Sequence, residues 1–233
     1  MLPTTHSARI SISWGILFVL ILCISCTPQK KEAEQTIAEE AQPIENQAVA
    51  LFDGKTFEGW EGPEEFFRIE DGAIIAGSLE EQIPSNLFMC TEKEFEDFDL
   101  RLKVRFQPYK NNGGIQIRSE RIPNDHEVIG YQVDVGYAGD IPVWASIYDE
   151  SRRNRFVAEA DAERIAALLK KDGFNDYRIL CEGPNIKVWF NGEQVIDYVE
   201  EEEGIARKGK ICVQIHGGSP AEASYKDIVI EEL

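Results

Sequence analysis

Histidine is scarce in this sequence, with only His6, His126 and His216 among 233 residues. No HExxH pair, GxSxG turn or glycine-rich phosphate loop occurs, so the chemistries that depend on those signatures are excluded. Cysteine is equally uninformative. Of five, Cys23 and Cys26 stand near the N-terminus, and Cys90, Cys181 and Cys212 form an odd set without the CxxC spacing of zinc or redox sites. These three read as buried apolar residues or as one disulfide pair plus one. Basic residues are also few. With 24 Lys and Arg against 42 Asp and Glu, the net charge is −18, which argues against nucleic acid or a polyanionic substrate and leaves neutral sugars compatible. Glu-rich stretches such as 200–203 read as solvated faces. No internal repeat is present.

The chain begins with a leader. A single basic residue, Arg9, precedes the apolar run 14–24 (WGILFVLILCI), which is too short to span a membrane comfortably and reads as a signal-peptide core. The run ends at Ser25-Cys26. A small residue before a cysteine at this point is the lipoprotein cleavage pattern, so residues 1–26 are expected to be a lipoprotein signal with Cys26 lipidated. Cys23 departs from that pattern, since leucine is usual three places before the lipid-bearing cysteine. An ordinary cleaved signal or an uncleaved anchor is the alternative. A chain starting at Cys26 keeps 23 basic against 42 acidic residues, a net −19. Residues 27–48, rich in Glu, Gln, Ala and Pro, have too little apolar surface to order themselves and are expected to be a tether. The expected location is a bacterial cell envelope, with the membrane as partner through Cys26.

Residues 49–233 read as one β-rich domain. Residues 99–106 (DLRLKVRF) alternate, with Leu100, Leu102, Val104 and Phe106 inward and Asp99, Arg101, Lys103 and Arg105 toward water. Residues 186–190 and 194–198 flank Asn191-Gly192, the dipeptide that supplies a two-residue hairpin turn. Further strands are expected over 177–182, 209–216 and 225–230. This spacing predicts an all-β sandwich or jelly roll of antiparallel strands. One helix is predicted over 158–171, stopping at Gly173, as a cap on the sandwich.

Four segments share a pattern. Ile211, Val213 and Ile215 alternate with Cys212, Gln214 and His216; Ile115 and Ile117 with Gln116 and Arg118; Val133 and Val135 with Gln132 and Asp134; Ala145 and Ile147 with Ser146 and Tyr148. Successive strand residues face opposite sides, so each segment offers one packing face and one polar face. Four such strands predict a sheet that binds something polar.

The segments LFDGKTFEGW, FRIEDGAIIAG, NGGIQIRS, GYQVDVG, SIYDESRRN, FNDYRILCEGPNIKVWFNG and QIHGGSPAEASYKDIVIEEL, in this order, resemble the 3-keto-disaccharide hydrolase domain family, formerly a domain of unknown function. The likeness covers nearly all of 51–233. It implies a concanavalin A-like jelly roll of two antiparallel sheets, usually exported and acting on glycosides oxidised to a ketone at carbon 3. The alternative is a noncatalytic lectin-like module. Lys226 stands where the family often has arginine, which keeps the charge but loses the bidentate fork.

His216 is the candidate general base or acid; its bland reading is a histidine bonded to Gln214 or a loop. Asp134 either binds hydroxyls, transfers protons or pairs with Arg118. Gln116, Gln132 and Gln214 are candidate hydroxyl ligands, since an amide both donates and accepts. Tyr148, Asp149, Glu150, Arg152 and Arg153 concentrate at a strand end, a candidate rim in which Glu150 and Arg153 also read as a self-paired charged turn. Arg118 or Lys226 would steady an enolate oxygen. Trp144, Trp189 and Phe174 are candidate stacking residues, although Trp189 in KVWF reads better as core. His126 reads as a surface residue. No cofactor and no metal is expected, because one histidine with Asp134 and glutamines is a poor zinc set.

Overall fold

A computed structural model describes residues 47–233. The leader over 1–26 with Cys26, and the tether as far as residue 46, lie outside the described residues. Along the chain run β1 (Val49–Ala50), β2 (Trp60–Glu61), β3 (Phe67–Glu70), β4 (Ala73–Ser78), β5 (Leu87–Thr91), β6 (Phe98–Gln107), β7 (Asn112–Arg121) and β8 (Val128–Ala138). They are followed by β9 (Ile141–Pro142), β10 (Ile147–Glu150), β11 (Arg155–Ala158), α1 (Ala162–Leu168), β12 (Asn175–Glu182), β13 (Asn185–Phe190), β14 (Glu193–Val199), β15 (Lys210–Ile215) and β16 (Ala221–Glu232).

These strands form two antiparallel sheets, the all-β sandwich expected from the sequence. The first runs β14-β13-β12-β6-β16-β4-β3 with β1 on β16, and the second β11-β10-β8-β7-β15-β5-β2 with β9 on β8. Leu100, Val104, Ile179 and Tyr225 from the first sheet meet Ile115, Val133, Ile147 and Val213 from the second in one core. Since a one-residue slip would turn every one of these outward, core burial fixes the register and with it the face that the alternate polar residues occupy.

The Asn191-Gly192 hairpin forms as expected between β13 and β14, with both residues at positive φ, 48° and 89°. The helix is shorter than the pattern suggests. Residues 155–158 are drawn into β11 by pairing with β10, and Asp161 caps the start by accepting from the Arg164 N–H at 2.8 Å. At the other end, the Asn175 side chain takes the Lys170 N–H at 2.9 Å and ends the helix before the lysines.

Three side chains lie elsewhere than expected. Asp99 faces outward on β6 yet is buried, because Arg101 and Arg178 close over its carboxylate at 2.6 and 2.8 Å. Trp144 is core, 1% exposed and 5.9 Å from the Phe190 ring. Trp189 is the half-buried one, under the Arg178 guanidinium at 4.5 Å, because Val188 and Phe190 take the inward positions of β13.

Candidate functional site

The four polar-faced segments are neighbours in the second sheet. Tyr148 lies opposite Gln132, Gln132 opposite Gln116 and Gln116 opposite Cys212, while Gly114 separates Asp134 from Gln214. Gln116, Gln132, Asp134, Tyr148 and Gln214 therefore share one face. Gly114 makes room there: a Cβ at this position would come within 2.4 Å of Gln132 Cγ and Cδ. The Gln132 side chain thus lies across the β7 backbone.

That placement completes a directed chain of hydrogen bonds. The Ser119 hydroxyl donates to Gln116 Oε1 at 3.0 Å, Gln116 Nε2 donates to Gln132 Oε1 at 2.7 Å, and Gln132 Nε2 donates to Asp134 Oδ1 at 2.6 Å. Each amide is used from both ends, which fixes its orientation. Asp134 is the terminus of the chain. Burial pushes its carboxyl well above the ordinary range, the Gln132 bond opposes that shift, and the Glu150 charge adds to it.

Gln132 and Asp134 form part of the wall of a cleft of about 220 Å³, with Asn86, Asn112, Ala138, Tyr148, Glu150, Phe156 and His216. Tyr148 and Phe156 meet edge to face at 5.2 Å. Burial, then the charge of Glu127, pushes Glu150 up to about 7. His216 stands exposed just past the end of β15, anchored through its backbone N–H to the Asn112 carbonyl at 3.1 Å. Its Nδ1 is 2.7 Å from the Gly217 carbonyl oxygen, which can only accept. Nδ1 therefore donates this hydrogen bond, which in the neutral tautomer makes Nε2 the basic nitrogen.

Other candidates lie elsewhere. Arg118 does not pair with Asp134: it sits at positive φ (49°) where β7 bulges between Ile117 and Glu120, which breaks the expected alternation. Its guanidinium donates to the Glu96 and Gly183 carbonyls and to Asp97 Oδ1 at 2.9, 2.7 and 2.8 Å. Asp149 points away from the cleft because Tyr148 and Glu150 point into it. It is fully buried, held by Arg152 at 2.7 Å and by Arg153, and Arg152 lies 4.6 Å over the Tyr131 ring. Lys226 belongs to β16 in the other sheet, with Nζ 4.2 Å from the Phe174 ring. Gln214 is on the expected face but wholly buried outside the cleft wall, with neither amide atom hydrogen-bonded. His126 is exposed in its loop between Asp125 and Glu127.

Glu150 was legible by the same alternation as Tyr148, two places earlier, but its charged neighbours pointed to a turn. Asn86, Asn112 and Phe156 gave no such signal. Among the described residues no cluster of three His, Cys, Asp or Glu is placed to hold a metal.

The sequence model of the 3-keto-alpha-glucoside-1,2-lyase-like domain matches residues 47–231. The chain belongs to this family. No curated protein matches it. Solved structures resemble this lyase-like domain across its length. A presumptive glycosyl hydrolase from Parabacteroides distasonis ATCC 8503 is 18% identical, covering 80% of this chain and 94% of that one at a TM-score of 0.61. The carbohydrate-binding module CBM66 from Bacillus subtilis is 13% identical over 75% and 96% at 0.56. A Bacillus subtilis protein with a galectin-like fold is 10% identical over 80% and 94% at 0.56. At these identities the likeness establishes the jelly-roll fold, and family membership makes the domain carbohydrate-related.

Proposed function

We propose that this domain cleaves glycosides carrying a ketone at carbon 3, by elimination across carbons 1 and 2 followed by hydration. The observation that carries the reading is a histidine with a free Nε2 at the mouth of a cleft whose carboxyl groups are held toward their neutral forms. The ketone acidifies the hydrogen on carbon 2. His216 Nε2 takes that proton, and the electron pair passes into an enolate. The enolate re-forms the ketone as a carbon 1–carbon 2 double bond develops and the carbon 1 oxygen leaves, protonated by Glu150. Water then adds at carbon 1 and a proton returns to carbon 2.

Arg118 and Lys226 do not line the cleft, so the enolate oxygen needs other donors. The Asp134 carboxyl, which burial holds toward its neutral form, and the Tyr148 hydroxyl are the groups the cleft offers for it. Burial suits them to the task, since a neutral donor in a dry site keeps its proton until charge develops opposite it. The edge-paired Tyr148 and Phe156 favour a second reading, a lectin-like module that holds sugar without cleaving it. We also propose export and lipid anchoring at Cys26. The Cys90–Cys212 disulfide fits an oxidising compartment, and Cys26→Ser should abolish palmitate labelling and release the protein from membranes.

The deciding experiment incubates the full chain with 3-keto-trehalose and 3-keto-lactose beside the unoxidised parents. Sugar released from the keto compounds alone is expected. Binding of either without release would support the lectin reading.

A further inference from the structure

Two cations on the outer face of the first sheet lack the partners their neighbours have. On that face Lys103 bonds Asp227 at 2.7 Å, and Arg101 and Arg178 close on Asp99. Arg105 and Lys226, on the adjoining strands β6 and β16, have no ion pair and no side-chain hydrogen bond among the described residues. Ser224 is directly opposite Arg105 and Lys226 directly opposite Lys103, so Arg105 and Lys226 are diagonal neighbours on one surface. Both turn to the same ring. Phe174, just before β12, has Lys226 Nζ 4.2 Å and the Arg105 guanidinium 5.0 Å from its centroid. Together with Glu70, Asp71, Ala73 and Ile75 they line a pocket of about 230 Å³.

The arrangement is unusual in a chain of net charge −18, where carboxylates for pairing are abundant. Two like charges brought to one ring repel each other, and the ring's quadrupole offsets only part of that. Arg105 Nε is in addition buried without a hydrogen-bond partner. A buried guanidinium donor left unpaired is costly, and an oxyanion is a group that satisfies it.

We propose that this pocket binds a single oxyanion carried on a sugar ring, either a carboxylate, as in a hexuronic acid, or a sulfate ester. Arg105 and Lys226 take the oxyanion. The apolar Ala73 and Ile75 offer a floor for the ring's C–H face. Glu70 and Asp71 at the edge disfavour ligands carrying several negative charges. The pocket is on the sheet that does not carry the cleft, so it would hold an acidic glycan while a different sugar unit is processed, and the proposal goes beyond the cleavage reaction.

The test is an isothermal titration of the full chain with glucuronate, glucose 6-sulfate and glucose at low and high salt. Binding of glucuronate, glucose 6-sulfate or both, weakened by salt and absent for glucose, is expected, and the anion that binds identifies the source of the charge. Arg105→Gln and Lys226→Gln should each weaken binding by about tenfold, with melting temperature and 3-keto-glycoside cleavage unchanged, and Arg105→Lys should fall between. Equal affinity for glucose, no binding of either anion, or variants that bind like the parent would overturn the proposal.

Discussion

Gln132 donates its amide N–H to the Asp134 carboxyl at 2.6 Å, and both side chains rise from the same face of one strand. An acid so held is part of a hydrogen-bonded chain that begins three hydrogen bonds away, at Ser119. Its protonation is tied to the fold itself.

The first prediction concerns that acid and pH. Because Asp134 is raised in the folded protein, the native state binds its proton more tightly than the unfolded chain does. Its ionisation therefore costs stability increasingly as pH climbs from about 4, the unfolded value, toward the raised folded one. Asp134→Asn should raise the melting temperature at pH 8 and leave it nearly unchanged at pH 4, as scanning calorimetry would read. A uniform shift at both pH values would mean the carboxyl stays ionised in the fold.

His216→Ala should lower kcat about a hundredfold or more, with little change in KM and an unaltered circular dichroism spectrum. In deuterated water the native protein should place deuterium at carbon 2 of the released 3-keto sugar. A wholly protiated carbon 2 would discard elimination and return the chemistry to a pair of carboxylates, with Asp134 and Glu150 as the pair facing the cleft.

Glu150 should be visible in the pH–rate profile. With its folded value at about 7, an acid catalyst loses activity as pH rises through that value. Glu150→Gln should remove that alkaline limb and slow cleavage of 3-keto-trehalose. A 3-keto nitrophenyl glucoside, whose leaving group needs no proton, should be spared. Equal losses on both substrates would assign Glu150 to binding.

The disulfide joins directly opposed residues of β5 and β15 and spans 122 positions of sequence. Replacing Cys90 and Cys212 by alanine should lower stability by about 2–4 kcal/mol, since the released unfolded chain regains the freedom of a long loop. Urea titration of the two forms measures it. Cys181, whose thiol burial pushes up to about 12, should resist alkylation until the domain unfolds.

The sequence disclosed the polar face of the second sheet to the extent that alternation survived. Gln116, Gln132, Asp134 and Tyr148 come together because three regular strands, β7, β8 and β10, lie side by side, and period-two patterning is a local property. Arg118 escaped it because one left-handed residue at a bulge redirects the side chain. Lys226 escaped it for a different reason. Which sheet a strand joins is decided by partners distant in sequence, and β16 pairs with β4 and β6. In KVWF three adjacent apolar residues left the inward ones undetermined, so Trp189 and Trp144 exchanged their expected places. Glu150 was hidden by the company it keeps, since a charged run reads as a turn until burial singles out one member.

The strand furthest along the described chain, β16, is also the spine of the first sheet. β16 separates β6 from β4 and carries β1 on its far end, so the two flanks cannot join before β16 is in place. Joining the two flanks through β16 brings together segments far apart in sequence, the kind of closure that is slow to form. For the export proposed above, that ordering would keep the two flanks of the first sheet unjoined until β16 has crossed.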